Sequence, residues 1–237
     1  MGIISSNKSI GGITAIPCRG VLDVTIGIAA APDIINNPTD IVLVLDRSGS
    51  MEGQPLADMK TGVNTFIDII AQATGGAPDQ IASGSHIGIV SFADTAVQDT
   101  GLITSVAALK AAAGALTAGG RTNHGDAFTE ATALLSGSTN NRVMVMFTDG
   151  ETTTGDPPAP IAAAARAMGI TIYCIGLIGD TGIDVNALND WATDPDVTHV
   201  SVAPTSADLE QLFADLAANI SVPGATNIVI NEALNPD

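Results

Sequence analysis

At 237 residues the chain can form one sizeable α/β domain with flanking pieces, and its apolar fraction of 46 % is enough to fill a large core. Eight Lys and Arg against 25 Asp and Glu give a formal charge of −17, a field that repels phosphate backbones and anionic lipid and argues against nucleic acid as a partner. Aromatics, at 3 %, are too scarce for a base-stacking platform.

The first strand-like run is Leu22 to Ala30, ahead of the domain proper and separated from it by Pro32 and Pro38. Asp40 to Leu45 is a wholly apolar run after its first residue, as expected of a strand buried on both faces. Pro55 suits the start of a helix, in which Leu56, Met59, Val63, Phe66, Ile67 and Ile70 recur at helical spacing. His86 to Phe92 is the next strand, and Ala96 to Ile103 is expected to be a short antiparallel partner for it rather than another crossover unit. Ser105 to Leu116 and His124 to Leu135 read as helices, and a strand begins at Val143. Pro160 to Met168 is a helix stopped by Gly169; a strand at Ile170 to Ile178, a short helix at Val185 to Trp191 and a strand at Thr198 to Val202 follow. Thr205-Ser206-Ala207-Asp208 makes a capping box for a last helix, with an apolar stripe of Leu209, Leu212, Phe213, Leu216 and Ile220. Asn227 to Ile230 reads as a strand beyond it, which we expect either to pair with the one at Leu22 to Ala30 or to begin a further domain.

Strands alternating with helices predict an open, mostly parallel, Rossmann-like sheet with helices on both faces and one short antiparallel strand. The expected organisation is an N-terminal extension with one strand over 1–38, the main domain over 39–221 and a C-terminal tail over 222–237.

Chemistry gathers where three loops leave this framework. Asp46-Arg47-Ser48-Gly49-Ser50-Met51 follows directly on an apolar strand and offers a carboxylate and two hydroxyls on alternate residues. Hard divalent cations favour such oxygen donors, although Asp, Ser and Gly are also ordinary turn residues. Gly119-Gly120-Arg121-Thr122-Asn123 supplies a third hydroxyl, and Val143 to Phe147 ends in Thr148-Asp149-Gly150. In an open parallel sheet ligands collect at the carboxyl ends of the strands, so the three loops can focus on one cation.

In these residues the chain resembles the von Willebrand factor type A family, whose metal-ion-dependent adhesion site has the pattern Asp-x-Ser-x-Ser, then Thr, then Asp. Asp46, Ser48, Ser50, Thr122 and Asp149 match all five positions in order, and the resemblance covers roughly residues 39 to 221. It implies a bound Mg2+, with Mn2+ or Ca2+ as alternatives. Ser48 and Ser50 would bind it directly, Asp46 and Asp149 directly or through water, and Thr122 according to the position of its loop. It further implies a protein-binding module that takes a partner's Asp or Glu carboxylate at the open coordination position. The expected setting is a monomeric part of a longer bacterial protein, at the cell surface or outside the cell, without direct membrane insertion.

Arg47 and Arg121 fill variable positions of the metal loops, either compensating the two aspartates or steering an anionic group to the ion. We favour the second role. Gly53 and Gln54 stand where integrin β chains place further acids, which disfavours an adjacent second metal. Asp126, Glu151 and Asp156 are read as capping or turn residues.

Other function classes fit less well. An enzyme using the metal as a Lewis acid would need a base, and His124 is the only nearby candidate. A subunit of a chelatase-like, ATP-driven intracellular assembly and a purely structural metal are the remaining alternatives. Of the two cysteines, Cys174 lies in an apolar run and reads as a buried thiol, while nothing in the sequence favours its pairing with Cys18. The histidines lack zinc-ligand spacing. No signal peptide and no bilayer-spanning apolar run are recognisable, and the myristoylation-like start at Met1-Gly2 is read as a chance match.

Overall fold

The computed structural model describes residues 3–10, 24–30, 34, 37–177, 183–203 and 216. Its main sheet has six strands in the order β5-β4-β3-β6-β7-β8. They are β3 (Thr39–Asp46), β4 (His86–Phe92), β5 (Ala96–Gln98), β6 (Asn141–Thr148), β7 (Ile170–Leu177) and β8 (Val200–Ala203). Every pairing is parallel except that of β4 with β5.

β3 lies at the centre and is buried along its whole length. Alternation sends its side chains to two different cores. Ile41, Leu43 and Leu45 join Ile87 and Ile89 of β4, Val145 and Phe147 of β6 and Ile175 of β7 on one face. Val42 and Val44 join Val90 and Phe92, Met144 and Met146, and Ile172 and Cys174 on the other.

Helices cover both faces. The first is flanked by α1 (Gln54–Ala73) and α2 (Val106–Ala115). α1 presents Leu56, Met59, Val63, Phe66, Ile67 and Ile70, the stripe expected from the sequence, and all are buried. Burying side chains of this size contributes about 1.5–3 kcal/mol each, so the stripe holds α1 to the sheet far more strongly than helix propensity could. The second face is covered by α3 (His124–Leu135), α4 (Pro158–Ala167) and α5 (Val185–Trp191). They contribute Ala127, Phe128, Ala131, Leu135, Ala162, Ala165, Leu188 and Trp191. Ser105, Asn123 and Asp184 cap α2, α3 and α5 through their side chains.

Three expectations shift. A short helix α6 (Asp196–His199) precedes β8, so Thr198 is helical rather than the first residue of the strand. α4 begins at Pro158, two residues before the expected start, because a proline fits the first turn of a helix as well as Pro160 does. The N-terminal extension contains two strands instead of one: β1 (Ile3–Ile10) pairs antiparallel with β2 (Val24–Ala30). β1 escaped notice because its centre, Ser5-Ser6-Asn7-Lys8-Ser9, has no apolar alternation. β2 therefore has a partner within the extension. The expected last helix, apart from Leu216, and the strand at 227–230 lie outside the described residues; Leu216 is helical and buried in the core on the α1 side.

Candidate metal-binding site

β3 runs out into its loop between two neighbours, with β4 on one side and β6 on the other. α1 links β3 to β4, whereas the next parallel strand, β6, returns on the opposite side of β3, and such a reversal opens a crevice at the carboxyl ends of the strands. Leu45 pairs with Phe147, which brings Asp46 beside Thr148 and Asp149.

Four of the five expected residues form one hydrogen-bonded chain. The backbone N–H of Ser48 donates to Asp46 Oδ1 at 2.8 Å, Ser48 Oγ and Ser50 Oγ lie 3.0 Å apart, and Ser50 Oγ donates to Asp149 Oδ1 at 2.8 Å. Asp46, Ser48 and Asp149 are buried, while Ser50 is exposed at the mouth of the crevice.

The Thr122 loop is stitched to the same place through backbone. Gly49 N donates to Gly120 O at 3.0 Å and Gly119 N to Arg47 O at 2.9 Å. Thr122, itself buried, accepts from Thr153 N at 2.9 Å and donates its own N–H to Thr153 Oγ1 at 2.9 Å. Gly120 makes the approach feasible: its φ is +87°, and a Cβ there would meet Asp94 Oδ2 at 2.4 Å. All three loops therefore converge.

The electrostatics are those of a site short of positive charge. Burial raises Asp46 to about 6, against the opposing pull of its bonds from Ser48 and Thr148, and the neighbouring Asp149 adds to the rise. Burial also raises Asp149. Ion pairs among the described residues join His86 to Asp40, Lys110 to Asp68 and Arg121 to Asp94, so neither aspartate of the crevice gains a cationic side chain from them. Two buried carboxylates and the Ser48 and Ser50 hydroxyls, with Thr122 on the adjoining loop, make an all-oxygen donor set that a hard divalent ion fits. The described residues contain no cluster of three or more His, Cys, Asp or Glu, which sets the site apart from thiolate or imidazole centres.

The two arginines part company. Arg47 is half-buried and turns its Nε to Ser91 Oγ at 3.2 Å, while Arg121 is exposed with its Nε 3.6 Å from Asp94 Oδ1. Asp126 accepts from Ala96 N at 2.7 Å and so anchors the edge strand β5. Glu151 and Asp156 are exposed.

Sequence reasoning passed over Thr148 and weighed His124 only as a candidate base for an enzyme reading, or as a structural helix-start residue. Thr148 Oγ1 donates to Asp46 Oδ2 at 2.7 Å and lies 2.9 Å from His124 Nε2, while His124 Nδ1 lies 2.9 Å from Thr152 Oγ1. The imidazole is fully buried between the rings of Phe92 and Trp191, with centroid separations of 5.1 and 4.6 Å, and this burial lowers its pKa to about 3. The available signal was the position of Thr148 immediately before Asp149, at the register of Asp46. Cys174 is a buried free thiol raised far above its usual range by burial, and Cys18 lies outside the described residues.

A doubly covered, mostly parallel sheet with this hydroxyl-and-carboxylate crevice at its switch point defines an open α/β domain with a candidate oxygen-donor site at the carboxyl ends of its strands. The family model for the von Willebrand factor type A domain matches residues 40–215, and the chain belongs to that family.

Among curated relatives, mouse matrilin-3 is 29 % identical over 191 residues and human matrilin-3 is 28 % identical over 189. These alignments cover 76 % and 75 % of this chain but only 37 % and 36 % of the relatives, so the chain spans little more than a third of their length. Solved structures share the fold. Proximal thread matrix protein 1 from the mussel byssus, with a zinc-occupied MIDAS motif, matches with a TM-score of 0.67 at 23 % identity, over 78 % of this chain and 46 % of that one. The vWF domain of the type V pili tip protein Mfa5 from Porphyromonas gingivalis matches with a TM-score of 0.70 at 17 % identity, over 82 % and 98 %. The pilus adhesin SpaC from Lactobacillus rhamnosus GG, in its open conformation, matches with a TM-score of 0.68 at 18 % identity, over 91 % and 33 %.

Proposed function

We propose that this chain is a metal-dependent protein-binding module in which Asp46, Ser48, Ser50, Thr122 and Asp149 hold a divalent cation, Mg2+ in the first instance. The observation that carries this reading is the continuous chain Asp46–Ser48–Ser50–Asp149, bonded at 2.8 to 3.0 Å and, among the described residues, closed on no cationic side chain. Buried carboxylates without a counter-charge are costly, and a bound cation would remove that cost. When bound, such an ion supplies an electrophilic position to which an incoming carboxylate oxygen can add.

The protein's own residues do the rest. Ser48 and Ser50 offer neutral donors, which leave the ion short of negative charge and receptive to one more anionic ligand. Ser50 lies exposed at the mouth, so a partner reaches the site from the solvent side. Arg121 stands free enough beside Asp94 to meet the second oxygen of an arriving Asp or Glu.

The zinc-occupied MIDAS motif of the byssus protein and the adhesin character of SpaC support the same reading, and they favour a place outside the cell or on its surface. Among the described residues, no helix is long and apolar enough to cross a membrane. We assign no catalytic role: His124, the one nearby base considered, is buried with both ring nitrogens within hydrogen-bond reach of threonine hydroxyls.

Calorimetric titration of the full chain with Mg2+, after exhaustive chelation, tests the first half. Stoichiometric uptake that disappears in Asp149→Ala is expected; equal uptake by Asp149→Ala would refute the assignment. Acetate tests the second half. In the Mn2+-loaded protein its methyl protons should relax faster than with the same amount of free Mn2+ alone, and no such enhancement would mean that no open position exists.

A further inference from the structure

Behind Asp46 runs a second line of polar contacts that the metal reading does not use. Thr148 and His124 are both completely buried, yet each makes well-formed hydrogen bonds. A polar line through an apolar core is retained at a cost unless each member is satisfied, so its donor directions can be worked out one by one.

The order follows from one end. Asp46 Oδ2 can only accept, so the 2.7 Å contact with Thr148 Oγ1 uses the single hydroxyl proton of Thr148. Thr148 Oγ1 must then accept from His124 Nε2, 2.9 Å away, which places the ring proton on Nε2. Nδ1 is left with a lone pair and accepts from the Thr152 hydroxyl at 2.9 Å. Gly150 N, 3.3 Å from Thr148 Oγ1, is a second donor to the same oxygen. The directions are mutually consistent, and proton donation runs from the loop after Asp149 to the carboxylate of Asp46.

We propose that His124, as its Nε2–H tautomer, is a positioning residue for the metal site: it fixes the Thr148 hydroxyl toward Asp46 Oδ2 and ties the 149–153 loop to the same carboxylate. The inference rests on the metal reading and adds to it the residue that orients the ligands from behind. The same loop sets Thr122, since Thr153, the neighbour of Thr152, bonds both the N–H and the C=O of Thr122. One imidazole thereby links all three converging loops: Asp46 through Thr148, Asp149 through its flanking residues, and Thr122 through Thr153.

Three substitutions separate positioning from packing. His124→Leu fills the space between Phe92 and Trp191 with an apolar side chain and abolishes the donor. His124→Gln keeps an N–H at the end of a comparable side chain. Thr148→Val removes the next link and preserves shape. Partners behind a metal's ligands typically govern 10- to 100-fold in affinity, so His124→Leu and Thr148→Val should each weaken Mg2+ uptake by about that factor. His124→Gln should restore most of it, and the melting temperature of metal-free His124→Leu should match or exceed that of the parent. Nitrogen NMR of the isotope-labelled parent should show the imidazole proton on Nε2. A proton on Nδ1, or a His124→Leu protein that folds and binds Mg2+ as tightly as the parent, overturns the proposal. If His124→Leu fails to fold, Thr148→Val decides the matter by the same affinity criterion. A parent protein that takes up no Mg2+, Mn2+ or Ca2+ overturns the metal reading as well, an outcome distinct from one in which parent and variant bind alike.

Discussion

Ser50 Oγ donates to Asp149 Oδ1 at 2.8 Å across 99 residues of sequence, and that one bond joins the loop after β3 to the loop after β6. It also occupies the exposed serine and the buried aspartate with each other, so a cation held by both would have to displace that bond.

Divalent metal should stabilise the protein. A ligand that binds only the folded state at about 100 times its Kd contributes about 2.7 kcal/mol. For a chain of this size that corresponds to a rise of roughly 5–10 °C in melting temperature. Calorimetric scans with saturating Mg2+ and with chelator should differ by that amount, and Asp149→Ala should show no difference between the two.

Asp46→Asn should abolish metal uptake while leaving the metal-free fold at least as stable at neutral pH. The carboxylate it replaces is fully buried and raised to about 6, so its ionised form costs folding energy when no cation is bound. A large drop in the melting temperature of metal-free Asp46→Asn would contradict this account.

Buried groups push the pH profile of the metal-free protein in opposite directions, with Asp149, also raised by burial, acting in the same sense as Asp46. Asp46 binds its proton more tightly folded than unfolded, so its contribution to stability falls as pH rises from 3.8 through about 6. His124 binds its proton less tightly folded, so its contribution is lost as pH falls from 6.5 toward about 3. Melting curves taken across this range should show Asp46→Asn losing the part of the first trend that Asp149 does not supply, and His124→Leu losing the second.

Gly120→Ala should weaken metal uptake and cost roughly 1–3 kcal/mol of stability. The new methyl would lie 2.4 Å from Asp94 Oδ2, so the Asp94 carboxylate must swing away, and the backbone at φ +87° beside Gly49 becomes strained. Gly137→Ala, where a Cβ meets nothing within 4 Å, is the control expected to leave metal uptake unchanged.

Arg121→Glu should leave Mg2+ uptake close to that of the parent but reduce the acetate effect in the Mn2+-loaded protein. The side chain is exposed and contacts Asp94 rather than the aspartates of the crevice. Undiminished acetate relaxation in Arg121→Glu would remove the arginine from any steering role.

The parallel sheet was legible because strands buried on both faces read as apolar runs; β4, α3 and α5 begin and end at the expected residues. The site was legible as residue types, Asp46, Ser48, Ser50, Thr122 and Asp149, because oxygen chemistry leaves a compositional trace. What lay hidden is backbone-mediated. The bonds from Gly49 N to Gly120 O and from Gly119 N to Arg47 O bring the loops together without calling for any particular side chain apart from the glycines. The connection from Thr152 to Asp46 was hidden for another reason: His124 at the start of α3 looks like any helix-entry residue until Thr148 and Thr152 surround it. β1 was missed because pairing with β2 needs backbone groups alone.

The central place of β3 has a mechanical consequence. A pull applied at Pro38 would be delivered not to an edge that could be unzipped bond by bond but lengthwise to a strand clasped by β4 on one flank and β6 on the other. Asp40, buried near the entry of that strand and bonded to His86, Ser138 and Asn140, acts there as an anchor bolt. Such a pull would load in shear the same strand whose far end bears Asp46.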